Sequence, residues 1–180
     1  MPSLRQRQNS FIFFIIWFSG SHGRERGTDR CARICFLNCV SETLVMKSVT
    51  QEHSSGCSVA CVASVLGISY KQALKLFENP AYAGSRGYYC REIVRVLKKG
   101  GRDYSYAFLK PKNKELARIP GSIVFIRKSS RYPLGHYLAR DEKGQWMDPW
   151  INYPEIKPAK SGFRKTLPGK ASWVIYPETQ

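Results

Sequence analysis

At 180 residues, 43% of them hydrophobic and 23% charged, the chain is long enough to bury one sizeable core and too apolar for a disordered protein. Its longest apolar run, residues 11–18, is less than half the length of a membrane-spanning helix, which excludes a polytopic membrane protein. The formal net charge is +16. Because the basic residues form short clusters without a nucleic-acid-binding motif, we expect a solvated basic surface and no specific nucleic-acid partner.

Residues 1–45 differ from the rest of the chain, and we interpret them as an extension that adds nothing to the fold. Basic residues, an apolar run and small residues follow one another there, as in a secretory signal, but the run is short and no usual cleavage site follows. Met46 is a second candidate start. We expect one domain over residues 46–180 in the cytoplasm, with secretion only if residues 1–21 act as a signal. Membrane association is expected only through the apolar segment.

Three cysteines of the extension, Cys31, Cys35 and Cys39, are spaced every four residues and would form one stripe on a helix. Zinc and iron–sulfur ligands usually come in closer pairs and need a fourth ligand, which is not obvious here. We interpret the stripe as an apolar helix face or as an accident of the extension. No metal ion and no organic cofactor is expected for this chain.

From residue 46 onward the pattern is that of a folded domain, with helices first and strands second. Apolar residues at helical spacing, with an N-cap at Ser69 and stops at Gly67 and Pro80, indicate the helices. The predicted helices cover residues 57–66, 70–77 and 88–99. The period then changes to that of strands, predicted at residues 104–109, 122–127, 137–140, 145–148 and 172–176. Helices followed by an antiparallel sheet predict an α+β fold.

Three side chains with catalytic potential stand at the ends of these elements. Cys57 opens the first helix, where the helix dipole favours a thiolate. His136 begins a strand and Asp148 ends the next one, so a hairpin can bring imidazole and carboxylate together. The imidazole accepts the thiol proton and the carboxylate fixes the imidazole's tautomer. Gln51, six residues before Cys57, offers a side-chain amide that can bind an oxyanion together with the Cys57 N–H.

The segment from Gln51 to Cys61 resembles the active-site segment of papain-like cysteine peptidases. It is more similar still to the bacteriocin-processing family that cleaves double-glycine leader peptides. Gln51, Cys57, Gly135-His136-Tyr137 and Asp148-Pro149 stand in the order of that family's motifs. The resemblance covers roughly residues 46 to 155. It implies a papain-like fold with N-terminal helices packed on a C-terminal antiparallel sheet, and a Cys-His-Asp triad with Gln51 in the oxyanion hole.

The chain departs from this family at three points. Family members usually have Asp before the nucleophile and Gly after it, where this chain has Gly56 and Ser58. The chain also lacks the GxxxxGK[ST] motif of an ATP-binding region. The family's role on an exporter therefore carries over only in its chemistry.

Other side chains that carry reactive groups are given structural roles. Cys61 and Cys90 are expected to pack, and His53 is expected to be a loop residue rather than the base. Asp141 and Glu142 are the next candidates for the carboxylate of the triad. A separate group of residues is expected to build the core and the walls of a cleft: Trp146, Trp150 and Trp173.

These observations predict a cysteine peptidase that cleaves peptide bonds of a peptide or protein substrate. Two alternatives remain open at this stage. One is an amide acyl-transferase or deamidase that uses the same triad. The other is an inactive papain-like module that binds an acidic partner through its basic surface.

Overall fold

The computed structural model describes residues 45–155 and 158–178, which belong to the second of two units of the chain, Thr43–Gln180. The signal-like segment and the three cysteines of the extension lie outside the described residues. The domain boundary at residue 46 therefore stays a prediction.

Three α-helices occupy the first half of the described chain: α1 (Cys57–Leu66), α2 (Tyr70–Leu76) and α3 (Cys90–Lys99). Helix α1 ends where Gly67 adopts a left-handed conformation with φ 68°, which favours glycine. Helix α2 begins with a capping box, in which the hydroxyl of Ser69 accepts from the Gln72 N–H. The predicted bounds of α1 are confirmed, whereas α3 begins two residues later than predicted. Short 3₁₀ helices at Pro80–Gly84 and Pro111–Arg118 were not predicted.

Six antiparallel strands form one sheet in the order β1-β6-β2-β3-β4-β5. Five of them correspond to the predicted strands: β1 (Tyr104–Phe108), β2 (Ile123–Ile126), β3 (His136–Arg140), β4 (Trp146–Asp148) and β6 (Ala171–Pro177). The strand β5 (Gly162–Arg164) is three residues long and was not predicted. It pairs with β4 and places Arg164 opposite Trp146.

Helices α1 and α3 pack against one face of the sheet, with α1 against β3 and α3 against β1 and β6, while α2 packs against α1. Small side chains such as Ala60 and Ala63 let α1 lie deep in this core, and eight of its ten residues are buried. A second apolar cluster around Leu138 and Val174 fills the other face of the sheet. The α+β fold, with N-terminal helices packed on a C-terminal antiparallel sheet, is thus confirmed.

No single helix among the described residues is long and apolar enough to cross a membrane. Helices α1 and α2 reach that length and hydropathy only as a pair that is bent by 103°.

Candidate active site

Cys57 is the first residue of α1, and its side chain is half-buried at the floor of a cleft. The preceding residue, Gly56, provides no side-chain cap for the helix. Since the first N–H groups of a helix have no acceptor within it, the Cys57 N–H is available to a bound group. The fold therefore presents a thiol and a backbone donor at the same point.

Gly56 occupies the position where the resembling family usually has Asp, and the structure gives a local reason. A Cβ atom at this position would overlap the hydroxyl of Tyr70. That hydroxyl also lies 3.1 Å from Nδ1 of His53, in the loop that leads to Cys57. The Tyr70 side chain thus fills the space beside the loop, and only glycine fits against it.

His136 begins β3 and is 4% exposed, with its ring stacked on that of Tyr132 at a centroid distance of 5.0 Å. Its Nε2 donates a hydrogen bond of 2.8 Å to Oδ1 of Asp148. Gly135 sets the entry into the strand with a φ of 75°, and a Cβ there would overlap the ring of Phe125. The backbone before His136 therefore needs glycine for both conformation and space.

Asp148 ends β4 with its side chain completely buried. Besides His136, two further donors reach its carboxylate. The N–H of Trp150 donates to Oδ1 at 2.9 Å, and Nε of Arg164 donates to Oδ2 at 2.5 Å. The Arg164 guanidinium also donates to the Ile151 carbonyl at 3.0 Å. Both carboxylate oxygens are therefore engaged, which is what a buried charge requires.

The charges of this cluster support one another. Burial raises the pKa of Asp148, but the hydrogen bond from His136, its charge and the other donors outweigh burial, and the pKa is lowered overall. Burial likewise lowers the pKa of His136, yet hydrogen bonding and charge from Asp148 and Cys57 outweigh it and raise the pKa to about 9. The site thus favours an imidazolium beside an ionised carboxylate over the whole neutral range.

Cys57 and His136 are close enough for the thiol to act on the pKa of the imidazole. Their contact is looser than the His136–Asp148 bond, since within the described part of the chain Cys57 Sγ makes no hydrogen bond of regular geometry. Loose contacts of this kind are common in enzymes without substrate. Because Nε2 is bound to Asp148, Nδ1 is the ring nitrogen left for the thiol.

Gln51 is buried in the loop before α1, and its backbone N–H donates to the carbonyl of Pro149, next to Asp148. Its side-chain Nε2 donates to the carbonyls of His53 at 2.9 Å and Ser54 at 3.3 Å. Its Oε1 has no hydrogen-bond partner among the described residues. In this orientation the amide stabilises the loop that leads to Cys57. Its role in an oxyanion hole stays a prediction.

The remaining candidates lie where they serve structure. Cys61 is completely buried, and burial raises the pKa of its thiol. Cys90 is half-buried at the cleft, with Sγ 3.6 Å from the Tyr137 hydroxyl, and burial raises its pKa as well. Asp141 accepts from the Gln145 N–H in the β3–β4 turn, so it holds the turn rather than His136. In the described ranges, no three His, Cys, Asp or Glu side chains come together as a metal site.

The cleft above Cys57 and His136 has a volume of about 1080 Å³. Of the three tryptophans expected in the core or the cleft walls, Trp150 and Trp173 line the cleft, and Trp146 lies in the second apolar cluster. Aromatic side chains, Tyr89, Tyr106 and Tyr132 among them, form a large part of its walls. Such a cleft can hold several residues of an extended peptide with their apolar side chains covered.

Sequence reasoning missed Arg164. It lies on a three-residue strand between segments rich in glycine, proline and lysine, and no periodicity marks that strand. A single basic residue in a basic chain carries no signal of its own. Only the register of β4 and β5 brings its guanidinium to Asp148.

No family model and no curated protein matches the chain. Among solved structures, it is similar to the peptidase domain of Streptococcus ComA, a bi-functional ABC transporter involved in a quorum-sensing pathway. The similarity covers 75% of this chain and 99% of that one, with 21% sequence identity and a TM-score of 0.47. At this identity and TM-score the likeness says nothing about chemistry, which depends on the side chains described above.

Proposed function

We propose that the chain is a cysteine peptidase in which Cys57, His136 and Asp148 form the catalytic triad. One observation carries the proposal: the buried His136–Asp148 hydrogen bond of 2.8 Å, next to a thiol at the start of α1. A buried imidazole bound to a carboxylate on one side and facing a thiol on the other has the arrangement that nucleophilic thiol catalysis requires.

In this mechanism His136 holds the proton of Cys57, and the thiolate attacks the carbonyl carbon of a peptide bond. The new C–S bond converts the carbonyl oxygen to an oxyanion. When the C–N bond breaks, the imidazolium gives its proton to the leaving amine, and an acyl-enzyme remains. Water, deprotonated by His136, then attacks the acyl group and releases the acid, with Cys57 restored. Asp148 stabilises the imidazolium in both halves.

The oxyanion needs donors close to Cys57. The N–H of Cys57 is one, because the first turn of α1 leaves it without an acceptor. Gln51 is the second donor in this proposal. Its Nε2 now binds the carbonyls of His53 and Ser54, so one of these bonds has to be shared or exchanged when substrate arrives. The unpartnered Oε1 means that a rotated amide would lose no hydrogen bond at that atom.

Labelling with iodoacetamide tests the nucleophile without a known substrate. We expect Cys57 to react much faster than Cys61 or Cys90 at pH 6, because of these three described cysteines only Cys57 lies beside an imidazole. His136→Ala should slow the labelling of Cys57 by at least about tenfold. Peptide mapping by mass spectrometry identifies the labelled residue.

The second test is a double-mutant cycle on any peptide that the protein cleaves. Cys57→Ala and His136→Ala should each abolish cleavage while the fold persists, and their losses should not add, because the two residues act as one unit. Cys61→Ala is the matched control, one helical turn further along α1. Equal, slow labelling of Cys57, Cys61 and Cys90, or full activity of Cys57→Ala, would favour a binding module over a peptidase.

A further inference from the structure

Besides His136, which is bound to Asp148, three charged side chains line the cleft, and all are basic: Arg86, Arg91 and Lys128. Although the chain contains 13 acidic residues, no Asp or Glu is among the lining residues of the described chain. A substrate that enters this cleft therefore meets positive charge without a compensating carboxylate on the wall.

One of the three cations is already neutralised. The guanidinium of Arg86 forms two hydrogen bonds with the carboxylate of Glu92, at 2.8 and 3.1 Å, and lies over the ring of Tyr82. Arg91 and Lys128 are exposed, and within the described residues no carboxylate oxygen lies within 4.0 Å of their nitrogen atoms. Arg91 and Lys128 can therefore each pair with an acidic group of a ligand in the cleft.

The two cations come from different elements of the fold. Arg91 lies in the first turn of α3, next to Cys90. Lys128 follows β2 in the loop that leads to His136. One cation of the cleft lining therefore comes from a helix and the other from a loop beside the sheet.

Four large apolar side chains of the same cleft lining are exposed. The exposed fractions are 61% for Tyr89, 62% for Leu134, 44% for Tyr106 and 37% for Trp173. All four line the cleft. Exposed apolar side chains grouped in a cleft mark a binding surface, because a ligand that covers them removes apolar area from water.

Building on the proposed peptidase function, we propose that the cleft selects an extended polypeptide segment that carries carboxylates beside aromatic or large aliphatic side chains. The carboxylates pair with Arg91 and Lys128, and the apolar side chains cover the exposed aromatic wall. A segment with lysine or arginine at the same places is rejected, because it would bring like charges together in a partly desolvated cleft.

Binding is measured with Cys57→Ala, so that no cleavage disturbs the equilibrium. The probes are three fluorescein-labelled peptides of about twelve residues in which phenylalanine alternates with glutamate, glutamine or lysine. We expect the glutamate peptide to bind at least about fivefold more tightly than the glutamine peptide in about 50 mM salt, and the lysine peptide more weakly than both. The preference should shrink in about 500 mM salt, since exposed charges are screened.

Matched charge reversals decide whether the cleft or the general basic charge causes the preference. Arg91→Glu and Lys128→Glu should each reduce the preference for glutamate at least about threefold. The controls are Arg95→Glu, one turn later on α3, and Arg127→Glu, adjacent to Lys128; both side chains are exposed and lie outside the cleft lining. All four variants change the net charge equally, so long-range attraction changes alike in each.

Equal loss in test and control variants, or equal affinity for the glutamate and glutamine peptides, would overturn the inference. These outcomes are separate from failure of the peptidase proposal. If binding follows the charges of Arg91 and Lys128 but Cys57 is unreactive, the acidic ligand stands and the peptidase does not. If Cys57 cleaves peptides without regard to acidic residues, the peptidase stands and the inference falls.

Discussion

Arg164 supplies a positive charge next to the buried carboxylate of Asp148. In the proposed mechanism the charges of Cys57 and His136 cancel each other, so an ionised Asp148 would leave one uncompensated negative charge in the interior. The guanidinium of Arg164, which is only 19% exposed, supplies the missing positive charge at 2.5 Å from Asp148 Oδ2. Because uncompensated buried charge is costly, we expect this pair to hold the carboxylate ionised and oriented toward the imidazole.

Replacing Arg164 by Gln should therefore lower the unfolding free energy and change how the labelling rate of Cys57 depends on pH. Loss of one partner of a buried ion pair costs about 3–5 kcal/mol of unfolding free energy. The pKa of Asp148 is lowered in the folded protein, so its contribution is present above the unfolded value near 3.9 and is lost as the pH falls. Without Arg164 the pKa of Asp148 rises. As the pH is lowered, the labelling rate of Cys57 should therefore begin to fall at a higher pH than in the wild type.

The measurement is the rate of Cys57 labelling between about pH 3 and 7, with unfolding by urea alongside. Arg164→Lys keeps the charge but lacks the two nitrogen atoms with which Arg164 binds Asp148 and the Ile151 carbonyl. Its loss of Cys57 reactivity at low pH should therefore stay close to that of the wild type, while its stability falls. Lys165→Gln, at the exposed neighbouring position, is the control. If Arg164→Gln is less stable but its labelling rate depends on pH as in the wild type, Arg164 has only a structural role.

At the scale of elements, α1, β3 and β4 could be predicted because their signals are local. Periodic small and apolar residues define α1, and a turn between two short apolar runs defines the β3–β4 hairpin that brings His136 to Asp148. The orientation of the Gln51 amide could not be predicted, because it depends on which carbonyls the folded loop presents. Strand β5 was missed for a similar reason: its three residues form a strand only through pairing with β4.

The close contact between Gly56, in the loop before α1, and Tyr70 predicts how substitutions at these two positions affect stability. Gly56→Ala would force its Cβ into the Tyr70 hydroxyl and should cost about 1–3 kcal/mol of unfolding free energy, with slower labelling of Cys57. Adding Tyr70→Phe removes the overlapping oxygen and should restore part of both losses. Gly84→Ala is the control, because a Cβ there meets no atom within 4 Å. Additive losses in the double variant would show that the two residues do not constrain each other.

At the scale of the whole molecule, the position of Met46 bears on where the folded domain begins. Its side chain is 7% exposed and lies in the main core. The next residue, Lys47, accepts a hydrogen bond from the Ser64 hydroxyl of α1 through its carbonyl, at 2.5 Å. The neighbour on the other side, Val45, is 65% exposed. Because Met46 packs in the core, we expect the folded domain to need residues from Met46 onward.

A chain that lacks residues 1–45 should therefore unfold at the same temperature and urea concentration as the full chain. In the full chain, Met46→Ala should lower the unfolding free energy by about 2 kcal/mol or more, because it leaves a cavity in the core. Val45→Ala, at an exposed position, should change it by less than about 0.5 kcal/mol. If the shortened chain unfolds much earlier than the full chain, residues 1–45 contribute packing that the core of the domain requires. In that case the domain begins before Met46, and Met46 is not a workable start.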